Sequence, residues 1–224
     1  MIHIIKNINR PDRSLIEGLA RHGSATVHEA MGRYGAMHHV IKPIARGMKV
    51  CGPAYTVRMQ AGDNVMLLKA IKECLPGDVL VVDCGRVLES GPFGELTALE
   101  CHVKGAGGLV TTGSVRDTSE IIAIGFPVFS AAISIVGTVK ESMGLINHPI
   151  SAGDVIVRPG DIILGDDDGV VVIPLEAAED ILKKSDARAA KEQKTMEEIR
   201  KGRSIFDIYG YDEVLRRCGC IEEE

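Results

Sequence analysis

The stretch GGLVTTGSVRDTSEIIAIGFPVFSA, residues 107–131, changes its hydrophobic period twice. GGLVTT (107–112) is a glycine-led, β-branched run, the pattern of a buried strand. TSEIIAIG (118–125) reads as a helix, and PVFSA (127–131) as a second strand. Strand, helix and strand in so short a span favour an α/β fold with a central sheet. Upstream the alternation continues. Lys49 to Gln60 is apolar and β-branched, hence a strand. Gly62-Asp63-Asn64 opens a helix to about Cys74, with Leu67, Leu68 and Ile71 on one face. A Gly-Asp turn then precedes an apolar run three times, in GDVLVVD (77–83), GDVIV (153–157) and GDIIL (160–164). The last continues into GDIILGDDDGVVVIP, a hairpin with Asp-Gly between its strands.

The ends read as helices. Asp12 to His22 and Ser24 to Arg33 are amphipathic, with Ser24 as a candidate N-cap. From Leu175 to Arg203 the chain is charged, Ala-rich and free of glycine until Gly202, which predicts a long helix exposed over much of its surface. FDIYGYDEVLRR (206–217) is a short apolar tail. The expected division is a main α/β domain over 1–174, with a helix and tail over 175–224 packing on a neighbouring subunit.

Composition narrows the function classes. Of 224 residues, 45% are apolar and 25% charged, enough for a core and ordinary for a soluble protein. A net charge of −5 argues against a nucleic-acid surface. No apolar run approaches the ~20 residues of a membrane span, and the N-terminal stretch lacks the apolar core of a signal peptide. Six cysteines scattered through predicted helices and strands read as reduced thiols, hence a cytoplasmic protein. Cys218-Gly219-Cys220 reads as a reduced tail.

Chemistry-bearing residues gather at two strand-to-helix joins. In GPFGELTALE (91–100), Leu96, Leu99 and Val103 recur at helical spacing, so a helix starts near Gly94 or Glu95. Its first amides have no intrahelical partners and form a seat for a small carboxylate, which a bare Gly94 leaves open. Val115-Arg116-Asp117 follow the strand of the opening stretch. Asp117 with Glu120 fits an acidic capping box, yet strand ends at such crossings are where α/β proteins hold ligands. If the two joins lie side by side, Glu95, Arg116 and Asp117 meet. A carboxylate pair suits a hard divalent ion and the guanidinium an oxyanion, a combination able to stabilise an enolate. Asp166-Asp167-Asp168-Gly169 lacks the alternating ligands of a calcium loop and reads as a turn. Lys104 and Lys140 read as surface charges, and His38-His39 lack partners for a zinc site.

The spacing Glu95-x20-Arg116-Asp117, flanked by GELTALE and GSVRDTSEI, resembles the acid-x20-Arg-Asp motif of the RraA-like fold family. The likeness extends through SATVHEAMGR, AGDNVMLLKA, GTVKES, RPGDIILGDDDGVVVIP, ARAAKE and DIYG, nearly the whole chain. Within the family the chain looks most like aldolases acting on 4-carboxy-4-hydroxy-2-oxoadipate and 4-hydroxy-4-methyl-2-oxoglutarate. The resemblance implies a three-layer β/β/α swivelling domain, assembled as a homotrimer or homohexamer. It implies Mg²⁺ or Mn²⁺ held by Asp117 and, through water, by Glu192 of a neighbouring subunit. Glu95 and Arg116 would be catalytic. Arg116 would grip the keto oxygen, and the amides of Leu96 and Thr97, beside Gly94, would hold the pyruvyl carboxylate. Glu95 stands where many members have Asp, and Thr112 where many aldolases have Asp.

The implied reaction is a retro-aldol cleavage of a 4-hydroxy-2-oxo di- or tricarboxylic acid to pyruvate and a second 2-oxo acid. It passes through a pyruvate enolate, so oxaloacetate decarboxylation is an expected side activity. The partners would be that small 2-oxo acid and further copies of the chain, with neither nucleic acid nor membrane. The alternative is a non-catalytic regulator of ribonuclease activity acting by protein contact, a role other members of this fold have. Against it stand the full acid-x20-Arg-Asp set and the long C-terminal helix. A methyltransferase reading finds no Gly-rich cofactor loop.

Overall fold

The computed structural model describes residues 2–85 and 87–223. In chain order it contains β1 (His3–Ile4), α1 (Arg13–Leu19), α2 (Ser24–Ala30), β2 (Lys42–Pro43), β3 (Val50–Met59), α3 (Val65–Glu73) and β4 (Val79–Asp83). Then follow α4 (Glu95–Lys104), β5 (Gly108–Val115), α5 (Thr118–Ile124), β6 (Val128–Ile133), β7 (Gly144–Ile146), β8 (Ile150–Ala152) and β9 (Val155–Val157). The chain closes with β10 (Ile162–Asp166), β11 (Gly169–Ile173), α6 (Ala178–Arg200), α7 (Ile205–Tyr209) and α8 (Asp212–Arg217).

Strands β3, β4, β5 and β6 lie side by side and parallel, joined in turn by α3, α4 and α5. The continuous apolar run of β4 follows from its position, because it is buried on both faces. Leu80 and Val82 point into a cluster with Leu67 and Ile71 of α3, Ala98 and Cys101 of α4 and Ile121 of α5. Val79 and Val81 point the other way, with Ala54, Val110 and Phe129, onto a second β-layer that supplies Ile150, Val157, Ile163 and Val172. That layer is also buried twice. Ile162, Leu164, Val171 and Ile173 of the β10–β11 hairpin face α1, α2 and α6 through Leu19, Val27, Met31, Ala178 and Ile181. The architecture is the expected β/β/α arrangement with a long C-terminal helix.

One strand serves both layers. The first residues of β3 pair antiparallel with β10, Pro53 opposite Ile162 and Val50 opposite Gly165. From Ala54 onward β3 pairs with β4, and its last three residues pair with β7 on the other side.

One local expectation changes, and two helices show which faces they bury. Ser24 is the first helical residue of α2, and Gly23 is its cap. Ser24 is instead held by Asp166, which accepts its amide at 2.7 Å and its hydroxyl at 2.6 Å. That bond defines the Asp-rich segment as a structural turn, since Asp166 also accepts the Asp168 amide. In α4 the buried residues are Ala98 and Cys101, whereas Leu96 and Val103 stand 80% and 77% exposed. The helix is where the apolar spacing put it, but that spacing marks its outer face. Helix α6 begins within its own chain's core, with Ala178, Ile181 and Ser185 buried, and it is mostly exposed beyond Ser185.

All six cysteines are free thiols. Burial pushes Cys74 up to about 11 and also raises Cys84 and Cys101, so these three are packing groups rather than nucleophiles. Cys218 and Cys220 are exposed. Among the described residues, no helix is long and apolar enough to cross a membrane.

Candidate active site

Because β4 and β5 are parallel neighbours, the joins that follow them open at the same edge of the sheet. A further bridge draws them together, with Phe93 pairing alongside Val115 and the Arg116 amide donating to the Phe93 carbonyl at 2.9 Å. Gly94 and Glu95 therefore sit against Arg116 and Asp117. The two joins meet as their residue types suggested.

Asp117 is the residue on which the geometry turns. Its backbone is left-handed, φ 53° and ψ 43°, a conformation that Asp tolerates better than most side chains. It precedes α5 but its side chain makes no capping bond there. The capping box with Glu120 is not formed. The carboxylate turns to the other join, where Oδ2 accepts the Glu95 amide at 3.1 Å and lies 3.5 Å from Arg116 Nε. Its second oxygen has no protein hydrogen bond among the described residues, and the side chain is 41% exposed.

Gly94 is packed against both groups of the neighbouring join. It is extended, φ −149°, so no backbone constraint demands glycine. A Cβ there would strike Asp117 Oδ2 and come within 3.0 Å of Arg116 Cγ and 3.1 Å of its Nε. The missing side chain makes room for these two groups, and Gly94 also lines the cleft.

The first turn of α4 leaves two of its amides open. The Thr97 hydroxyl accepts the Gly94 amide at 2.9 Å and donates to the Gly94 carbonyl at 2.7 Å, sealing the cap from one side. The Glu95 amide is taken by Asp117. The Leu96 and Thr97 amides have no acceptor among the described residues, so the positive end of the helix opens outward. It opens on a cleft of about 600 Å³ lined by Gly94, Glu95, Leu96, Thr97, Arg116 and Asp117. Asn64 and Leu68, Gly91 and Pro92, and Gly137, Thr138 and Lys140 form the remaining walls. Lys140 is exposed, as a surface charge should be, and it also lines this cleft. Its position depends on the chain returning after β6, which local pattern does not reveal.

Glu192 does not line this cleft in its own chain. It pairs with Arg188 at 2.8 Å on α6 and lies 3.5 Å from the Thr26 hydroxyl of α2. A second cavity, of about 340 Å³, lies against the β8–β9 hairpin beside His38, Asp83, Thr112 and Asp154, and contains none of the Glu95, Arg116 or Asp117 set.

The donors test which ion could bind. Among the described residues, no cluster of three or more His, Cys, Asp or Glu side chains could close around a metal. A zinc-type site, which takes three or four protein ligands, does not fit. Mg²⁺ keeps several waters and takes one or two carboxylates, and the half-exposed Asp117 with Glu95 at the same cleft fits that habit.

Two open helix amides, a guanidinium and two carboxylates thus line one cleft at the ends of adjacent parallel strands, the place where α/β proteins hold ligands. The chain belongs to the RraA-like family, whose model, described as Aldolase/RraA, matches residues 24–172. It is 36% identical over 167 residues to a protein of Halalkalibacterium halodurans named "Putative 4-hydroxy-4-methyl-2-oxoglutarate aldolase", covering 75% of this chain and 80% of that one. It is 31% identical over 139 residues to the 4-hydroxy-4-methyl-2-oxoglutarate aldolase of Thermus thermophilus, covering 62% and 84%. Among solved structures it is similar to Streptomyces coelicolor RraAS2, described as an unusual member of the RNase ES inhibitor RraA family, with a TM-score of 0.70, 28% identity, and 88% and 100% coverage.

Proposed function

We propose that this protein is a divalent-metal-dependent lyase that cleaves a 4-hydroxy-2-oxo di- or tricarboxylic acid to pyruvate and a second 2-oxo acid. The observation that carries the reading is the convergence in one cleft of the open Leu96 and Thr97 amides, Arg116 and the half-exposed Asp117. Aldolase names among relatives at 36% and 31% identity support it.

Each group has a task. The Leu96 and Thr97 amides seat the C1 carboxylate, where the helix end favours negative charge. Arg116, beside that seat, donates to the C2 oxygen, on which charge grows as the bond breaks. Glu95 orients a water that takes the C4 hydroxyl proton. The C3–C4 bond then breaks, its electron pair passing to C3 and the C2 oxygen as the pyruvate enolate, while C4 becomes a carbonyl. Protonation at C3 gives pyruvate. Lys140, across the cleft, suits the carboxylate of the departing half. Asp117 would hold Mg²⁺ or Mn²⁺, which would supply Lewis-acid stabilisation of the enolate charge. Oxaloacetate decarboxylation would share the enolate.

Exposed apolar side chains on α4 and after β6, among them Leu96, Val103 and Ile135, form a surface suited to burial. Further copies of the chain, as a trimer or hexamer, would cover it and bring a neighbour's Glu192 towards the cleft. The likeness to RraAS2 keeps a second reading, a non-catalytic protein-binding regulator.

The test is pyruvate release from 4-carboxy-4-hydroxy-2-oxoadipate, 4-hydroxy-4-methyl-2-oxoglutarate and oxaloacetate, with Mg²⁺ and with EDTA. Metal-dependent release from a hydroxy-oxo acid is expected. No release from any of the three by folded, metal-supplemented protein would favour the regulator.

A further inference from the structure

The wall carrying Lys140 is a loop with little secondary structure, running from the end of β6 to the start of β7. Its first half is held by main-chain bonds. The Gly91 amide donates to the Val136 carbonyl and the Val139 amide to the Gly62 carbonyl, each at 2.9 Å. Past Val139 the fastening changes in kind. A single carboxylate, Asp63, accepts the Glu141 amide at 2.5 Å and the Ser142 amide at 2.9 Å, both on Oδ2. Its Oδ1 accepts the Val65 amide at 2.7 Å, which fixes it to the first turn of α3. Asp63 is 1% exposed. A buried carboxylate is costly unless satisfied, and here three backbone amides satisfy it. Its neighbour Asn64 donates to the Pro92 carbonyl at 3.1 Å, joining the same turn to the opposite wall. Lys140 therefore sits between a main-chain pin at Val139 and a side-chain latch at Glu141.

We propose that Asp63 is a positioning residue for substrate selection. It holds residues 140–142 so that the Lys140 ammonium stands over the part of the cleft taken by the departing half of the substrate, and so sets the preference for substrates with a carboxylate there. The inference rests on the lyase reading above. Asp63 has no hydrogen bond to Glu95, Arg116 or Asp117, so its effect belongs to binding of the second half, not to enolate chemistry.

The experiment compares two reactions of the Mg²⁺-loaded enzyme. Cleavage of 4-carboxy-4-hydroxy-2-oxoadipate needs the whole cleft. Exchange of the pyruvate methyl protons in D₂O, followed by NMR, needs only the pyruvyl half. The variant is Asp63→Asn, which keeps size and the bond to Val65 but turns an amide donor towards two amide donors. Asp63→Ser, whose hydroxyl is too short to reach the loop, is the second variant should the first fold poorly. Loss of charge-assisted bonds of this kind predicts a cleavage KM raised roughly tenfold or more, with kcat and exchange within about twofold. In a double-mutant cycle with Lys140→Ala, the Asp63 change adds little once Lys140 is gone. Overturning results are cleavage unchanged in both variants, cleavage and exchange falling together, or KM effects that multiply across the cycle. A wild type inactive in both reactions would remove the lyase reading and this inference with it. An active wild type matched by its Asp63 variants would remove the inference alone.

Discussion

Replacing Gly94 by alanine separates folding from function at this site. The added Cβ would overlap Asp117 Oδ2 and press on Arg116 Cγ and Nε at 3.0 and 3.1 Å, where ordinary contact begins near 3.4 Å. The backbone at Gly94 is extended, so the substitution brings no torsional strain. Asp117 is the movable party, because its side chain can rotate away by giving up one hydrogen bond to the Glu95 amide. Such a bond to a charged group is worth about 1.5–3 kcal/mol at most, and less at this exposure, so the fold should survive with a Tm lowered by a few degrees. The carboxylate must still withdraw on the order of 1 Å, and a misplacement of that size costs about 10²-fold in rate. The expected outcome for Gly94→Ala is kcat/KM for pyruvate release down about 10²-fold, near 2.7 kcal/mol of lost transition-state stabilisation, with unchanged circular dichroism. A coupled lactate dehydrogenase assay over a range of Mg²⁺ concentrations reads the rate. Activity within twofold of wild type would refute the reasoning, because it would mean that Asp117 need not stand where the glycine lets it. Rates restored by raising Mg²⁺ would instead locate the loss in ion affinity.

Arg116→Ala should lower turnover at least ~10²-fold if the guanidinium meets developing charge, and Arg116→Lys should recover only part, as seen in steady-state kinetics. Mixing Glu192→Ala with Arg116→Ala subunits should regain activity that neither has alone if Glu192 serves a neighbour's cleft; no gain from reassembled mixtures would confine it to its own chain. At Asp63, burial pushes the carboxyl up, but the amides of Val65, Glu141 and Ser142 more than reverse this and hold it below its ordinary value. A carboxyl lower in the folded than in the unfolded chain adds stability above its unfolded pKa and loses it as pH falls through the folded one. A Tm series from about pH 5 downward should therefore show an acid-dependent loss in wild type that is smaller in Asp63→Asn.

The sheet and its helices were legible because their residues announce two-sided burial. VLVVD in β4 and the alternating faces of GDIILGDDDGVVVIP leave few other uses for so many β-branched residues. Helix α4 shows where such reasoning stops. Leu96, Leu99 and Val103 share a stripe, yet periodicity reports that a face is apolar, not what covers it. Asp117 shows a second limit. An acid three residues before a Glu at a helix start satisfies the capping pattern, and only the left-handed backbone, unmarked by any glycine, reveals that the side chain leaves for the neighbouring join. The meeting of Glu95 with Arg116 and Asp117 could be anticipated, because adjacent parallel strands bring their crossings together. The place of Lys140 at this cleft could not, since its loop is fastened by Asp63 reaching far along the chain to Glu141 and Ser142.

The double membership of β3 bears on how the chain is made. Its second half can pair with β4 soon after both are synthesised, but its first half waits for β10, roughly a hundred residues later. Until then half of a long apolar strand has an open edge, and long-range pairing of this kind is slow to form and prone to association. The β10 segment thus completes the sheet rather than decorating it. It closes the strand on which that sheet is built, and a ribosome that stops before Gly165 releases a chain with its central strand half paired.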